Sequence, residues 1–189
     1  MRPALALLEF DSIARGIEAG DQMAKRAAIE VIRTGTVQPG KYLILVAGEV
    51  GDVEEAVDAG TAVATLVDLV LLPDVHPEVA AAVRGTCKTG KGEALGIIET
   101  RTVAAIIQAA DAGRKGAEVT LVELRLADGL GGKGYLLFQG PVAEVEAAVQ
   151  IGSSRVPEKV ISVIIPQLHP EMGENLFTDA RFADRVSEE

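Results

Sequence analysis

The chain has 189 residues, 48% of them hydrophobic, which excludes a disordered polymer and leaves room for one or two small domains. A formal net charge of −10 and an aromatic content of 3% exclude a general nucleic-acid binder, which needs cations for phosphates and rings for stacked bases. A lone Cys87 excludes an intrachain disulfide; with no leader-like start and no apolar run of the ~18 residues that a membrane span needs, the expected home is the cytoplasm.

Ala4 to Phe10 is a short apolar run that fits a buried strand. Asp11 and Ser12 then supply helix-capping oxygens. Ile13, Ile17, Gly20, Met23 and Ala27 follow at helical spacing, so Ser12 to Ala27 is predicted as an amphipathic helix. Ile29 to Thr36 is a second strand, and Val37, Gln38, Pro39 and Gly40 form a turn. Lys41 to Ala47 is a third strand. Val50 to Thr65 is a second helix, with Val53, Val57 and Ala64 on one face and acidic residues on the other. Val67 to Leu72 is a fourth strand, stopped by Pro73. The order is βαββαβ.

The same text then recurs. ALALLEFDSIARGIEAGDQMAK, from Ala4, returns as ALGIIETRTVAAIIQAADAGRK, from Ala94. Glu9 pairs with Glu99, Asp21 with Asp111 and Lys25 with Lys115. After an insertion, Gly40 and Lys41 pair with Gly132 and Lys133; after a further slip, His76-Pro77-Glu78 pairs with His169-Pro170-Glu171. The second copy predicts a strand over 94–99, a helix over 102–115, a strand over 119–126, a turn over 128–132, a strand over 134–139, a helix over 142–151 and a strand over 160–165. Two copies of a compact unit are too few for a solenoid, so the expectation is a tandem pair of α+β domains. Their predicted bounds are 1–86 and 94–173, with a Gly- and Lys-rich linker at 87–93 and a polar, acidic tail at 174–189.

These paired stretches, each followed by a strand, a Gly-Lys hairpin turn and AGEVGDVEEAV or QGPVAEVEAAV, resemble the bacterial microcompartment shell-protein domain, present twice in unpermuted order. The resemblance spans about Ala4 to Met172 and points to the tandem-domain trimers of propanediol-utilisation shells. It implies a non-enzymatic tile: a homotrimer that mimics a hexamer and packs beside other shell proteins around an enzyme core, without nucleic acid or membrane as partner. The same βαββαβ units also serve in ring-forming sensors, so a small-molecule-binding regulator is the alternative.

The resemblance also assigns residues. Val37, Gln38, Pro39 and Gly40 of the first turn, with Gly129, Leu130, Gly131 and Gly132 of the second, would line a central pore for small polar metabolites. Some related trimers carry an iron–sulfur cluster on a cysteine of the first turn. Gln38 stands at that position, and an amide cannot replace a thiolate, so no cofactor or metal is expected. Lys25 and Lys115, which by themselves read as helix C-terminal cations, would sit at the tile edge. The edge pattern's usual arginine after the proline of the fourth strand is replaced by Asp74 and Gln167. His76 and His169, each in a His-Pro-Glu triplet with no ligand cluster around it, read as hydrogen-bonded turn residues near that edge. Glu9 and Glu99 end equivalent strands just before a helix, where capping backbone N–H groups is expected over acid–base chemistry. Gly85 to Lys91 has the spacing of a phosphate-binding loop. It fails that motif at Gly92, where Ser or Thr should stand, and it leads into a strand. Cys87 within it has Lys88 and Lys91 nearby and no assigned role.

Overall fold

The computed structural model describes residues 4–87, 90–157 and 160–177. Lys88 and most of the acidic tail fall outside the described residues. The first unit runs β1 (Ala4–Phe10), α1 (Ile13–Arg26), β2 (Val31–Val37), β3 (Lys41–Gly48), α2 (Val50–Thr61), β4 (Asp68–Leu72) and α3 (Pro77–Ala82). The second repeats it as β5 (Ala94–Thr100), α4 (Val103–Gly116), β6 (Thr120–Leu126), β7 (Gly134–Gly140), α5 (Val142–Ser154), β8 (Ile161–Ile165) and α6 (Pro170–Leu176). Each unit is an α+β layer around a four-stranded sheet, ordered β2-β3-β1-β4 and β6-β7-β5-β8, with every pairing antiparallel. The unpermuted βαββαβ order is as the sequence predicts.

Period-two alternation explains why β1 is buried along its whole length. Ala4, Ala6, Leu8 and Phe10 face Ala19 and Met23 of α1 and Val53 and Ala56 of α2, forming the first core. Leu5 and Leu7 point the other way. They join a second, larger core that contains Val103, Ile106 and Ile107 of α4 and Leu136 and Phe138 of β7. One apolar cluster therefore crosses from the first domain into the second and fastens them side by side. The two long N-terminal helices are capped alike: Ser12 Oγ and Thr102 Oγ1 each accept from the backbone N–H three residues on, at 3.3 Å. Gly113 lets α4 lie against α5, since a Cβ there would stand 2.8 Å from the Ala148 carbonyl oxygen and 2.7 Å from the Phe138 ring.

Three expectations shift. The helix predicted over 50–65 stops at Thr61, because the chain must turn in time for Val67 N–H to reach the Glu9 carbonyl at 2.8 Å and open β4. The His-Pro-Glu triplets open short helices, α3 and α6, in place of turns: proline has its φ preset for the first helical position and gives up an N–H that would have no partner there. The expected boundary at 174 falls inside α6.

Candidate functional site: two hairpin loops and an interdomain seam

The first hairpin loop links β2 to β3. It is closed by Gly40 N–H donating to the Val37 carbonyl at 2.9 Å, with Gln38, Pro39 and Gly40 exposed and a cis Gln38–Pro39 bond. The second links β6 to β7. Leu130 N–H donates to the Ala127 carbonyl at 2.9 Å, and Gly129, Gly131 and Gly132 all take positive φ. The two loops meet: a Cβ on Gly132 would stand 2.8 Å from the Gln38 carbonyl oxygen and 3.1 Å from Pro39 Cδ. All eight loop residues singled out by sequence thus occupy one corner of the chain, with glycine at the point of closest approach. Among the described residues, no group of three His, Cys, Asp or Glu side chains is placed to hold a metal ion.

Behind the loops a lysine follows each turn. Lys41 Nζ lies 3.2 Å from Glu9 Oε2, and Lys133 Nζ lies 2.6 Å from Glu99 Oε1. The two carboxylates are equivalent in sequence and differ in setting. Glu9 is fully buried, and its other oxygen, Oε1, accepts from Ala104 N–H of the second domain at 2.7 Å. Glu99 is partly exposed. Burial pushes the Glu9 carboxyl above the ordinary glutamate value; the α4 N–H groups and Lys41 pull it partway back. Glu9 does cap backbone N–H groups, but those of the neighbouring domain's helix rather than of the helix that follows it.

That contact begins a seam running along α4. Thr102 Oγ1 donates to Asp68 Oδ2 of β4. His76 N–H donates to Asp111 Oδ1 at 2.7 Å, and Arg114 Nε donates to Glu78 Oε2 at 2.8 Å. Lys115 Nζ reaches Asp111 Oδ2 at 2.6 Å and also the Asp74 carbonyl. The His76 imidazole caps its own helix, its Nδ1 accepting from Glu78 N–H at 3.2 Å. A shallow groove of about 370 Å³, lined by Leu72, Asp111, Lys115, Ile151 and Arg155, follows the seam's outer end. Lys115 and His76 thus serve the joint between domains. Their counterparts differ: Lys25 is two-thirds exposed and pairs with Asp21 at 2.6 Å, and the His169 side chain makes no capping bond. The sequence reading missed this seam. Its signal was present in β1, whose alternate residues Leu5 and Leu7 are apolar on the sheet face turned away from the core formed with α1 and α2.

Lys88 and Thr89 of the phosphate-loop look-alike lie outside the described residues. Gly92 at φ +139° packs on the Gly140 backbone at the start of β5, and Cys87 is exposed with its thiol pushed up, chiefly by desolvation.

The family model described as "BMC domain" matches residues 4–75 and again 94–168. The bacterial microcompartment shell protein PduT of Citrobacter freundii is 42% identical over 177 residues, which cover 91% of this chain and 96% of that protein. The shell protein EutM of Salmonella typhimurium is 39% identical over 85 residues, 43% of this chain and 86% of its own length, so it is matched by a single repeat. A crystal structure of a microcompartment protein from Desulfitobacterium hafniense superposes with a TM-score of 0.77 at 37% identity, covering 92% of this chain and 99% of that one. The chain belongs to the BMC-domain family of microcompartment shell proteins and carries the domain twice in tandem.

Proposed function

We propose that three chains close into a ring with six near-equivalent domains and that this ring is a flat tile of a microcompartment shell. The observation that carries the reading is the seam itself. Two homologous domains already sit side by side in one chain, joined by a heterologous contact: the β1–β4–α3 face of the first against α4 of the second. A heterologous contact repeated around an axis closes into a ring when its rotation divides the circle. Duplication makes half of those contacts intramolecular, at an effective concentration of order mM.

The tile reading gives the loops their role. Three copies each of the Val37–Gly40 and Gly129–Gly132 loops would alternate about the axis and line a pore of backbone N–H groups and the Gln38 amide, suited to small polar solutes. Lys25, Lys115, His76 and His169 would lie toward the rim, where neighbouring tiles meet. Each exposed charge contact is worth ~0–1 kcal/mol and gains effect only through repetition. The tile has no enzymatic activity; its partners are its own copies, other shell proteins and the enclosed enzymes.

Sedimentation and negative-stain electron microscopy test this directly. Three chains of 19.7 kDa give a particle three times the chain mass that associates edge to edge into sheets or tubes. A protein that stays monomeric and forms no lattice at any concentration refutes it.

A further inference from the structure

The linker between the domains covers part of the second sheet on the face turned away from α4 and α5. The Cys87 thiol meets the Leu124 N–H of β6. A Cβ on Gly90 would stand 2.6 Å from Val122 Cγ1 and press on the Gln139 side chain, whose Nε2 donates to the Gly92 carbonyl at 2.9 Å. Val122 is left 8% exposed, and Leu137 beside it 3%. The first sheet has the same face. Strand register places Val31, Arg33, Leu43, Leu45 and Ala47 together on it, while the helices packed on β2 and β3 are α1 and α2, on the other side. Arg33 is exposed and the four apolar residues are partly exposed, including Leu45, the counterpart of Leu137. This face is also the more apolar of the two: Val31, Leu43 and Ala47 stand where the second sheet has Thr120, Tyr135 and Gln139.

We infer that the C-terminal tail of one chain, residues 178–189, runs along β2 and over this face of the first domain of another copy of this chain. This rests on the ring reading and adds a contact that closure of the ring does not require. The repeat supplies the path. Helix α6 corresponds to α3, so around a ring the chain leaving α6 faces the first domain of the next copy, as the linker leaving α3 faces the second domain. Length agrees: the linker spans ten residues, Arg84 to Glu93, and twelve follow Phe177. Chemistry agrees too, with the charges reversed. The linker is glycine-rich, carries Lys88 and Lys91, and serves a polar face that bears Glu123. The tail carries Phe182 and Val186 among four carboxylates and two arginines, and the face it would meet is apolar around Arg33. Arg33 is the positional counterpart of Glu123, since the two stand across from the equivalent leucines Leu45 and Leu137. Arg33 Nη1 donates to the neighbouring Ile32 carbonyl at 2.9 Å and pairs with no carboxylate among the described residues. Phe182 and Val186 cover Leu43 and Leu45, and a tail carboxylate reaches Arg33. Strand β2 lies at the sheet's edge, where unpaired backbone groups await a passing chain.

The test uses the full chain in a Cys87→Ser background. Gly90 lies beside Gln139 within the chain, and Ala183 and Ala47 hold the corresponding positions. Oxidation of the double variant Ala47→Cys/Ala183→Cys should give covalent dimers and trimers on a denaturing gel. The pair Glu54→Cys/Ala183→Cys, with one thiol exposed on α2 behind the sheet, should stay monomeric on that gel. Arg33→Glu should reduce the cross-link. Ending the chain at Phe177 should speed hydrogen exchange of the β2 amides at least about tenfold and leave those of β6 unchanged. A trimer that forms no interchain disulfide, and whose β2 exchanges equally with and without residues 178–189, overturns the tail contact and leaves the ring reading standing. A disulfide closed within one chain also overturns it, by placing the tail on its own first domain. A wild-type chain that is monomeric throughout overturns both.

Discussion

Glu9 Oε1 accepts a hydrogen bond from Ala104 N–H at 2.7 Å across 95 residues of sequence, from the end of one domain's inner strand to the first turn of the other domain's helix. A buried carboxylate placed there satisfies helix N–H groups that have no partner within α4 and meets the positive end of its dipole. Its second oxygen holds Lys41, the residue just after the first loop. One side chain thus links strand, loop and neighbouring domain.

Glu9→Gln should therefore change how stability depends on pH. Burial raises the Glu9 carboxyl above the ordinary value of 4.5, so the folded chain binds its proton more tightly than the unfolded chain does. The contribution of Glu9 is fully present below the unfolded value and is lost as pH rises through the raised folded value. Urea midpoints taken across that range should show wild type losing stability relative to Glu9→Gln as pH increases, then running parallel to it. A constant offset would show that Glu9 titrates as it does in the unfolded chain. Glu9→Ala should cost about 1–3 kcal/mol at neutral pH, because it strands the Ala104 N–H and Lys41 in a buried site.

Gly113→Val tests the close approach of α4 and α5. The backbone oxygen of Ala148, 2.8 Å from any added Cβ, cannot swing aside as a side-chain tip can. The helices must separate, at an expected cost of about 1–3 kcal/mol in thermal or urea unfolding. Valine's better burial would stabilise only if the helices had room to spare.

The Glu78–Arg114 pair should report on the joint between domains rather than on either domain alone. Both side chains are largely buried, at 15% and 23% exposure, and the Nε bond is 2.8 Å long. A double-mutant cycle with Glu78→Gln and Arg114→Met is expected to give a coupling of about 1 kcal/mol. Additive effects would mean that the pair adds nothing beyond its separate contacts.

Much of this fold is legible in the sequence. The duplication fixed the βαββαβ order and the place of both hairpin loops, because the helical spacing of Ile13, Ile17 and Met23 and the Pro39-Gly40 turn are local signals. The seam was not legible. Whether Glu9 caps its own helix or a neighbour's depends on where α4 lies, and Val103 and Ile107 read as ordinary core residues of the second unit. Helices α3 and α6 were missed because six or seven residues give too few turns for periodicity to show. The sign of Lys115 as a seam residue is likewise spatial: its partner, the Asp74 carbonyl, carries no side-chain chemistry that a sequence displays.

The loops allow the sharpest test of the pore. Gln38 is exposed at the tip of the first hairpin, beside Gly132 of the second. If three chains bring three Gln38 side chains around one axis, Gln38→Cys in a Cys87→Ser background places three thiols within reach of one another. A short bismaleimide should then convert the trimer into covalent dimers, and a trifunctional maleimide into covalent trimers, at protein concentrations where free chains do not cross-link. The same variant made at Glu49, exposed just past the end of β3 opposite the hairpin loop, serves as a control for random collision. Equal cross-linking at the two positions would place Gln38 away from the axis and remove it from the pore. Strong cross-linking confined to Gln38 would fix the first loop at the ring's centre, where its amide sets the polarity that a passing solute meets.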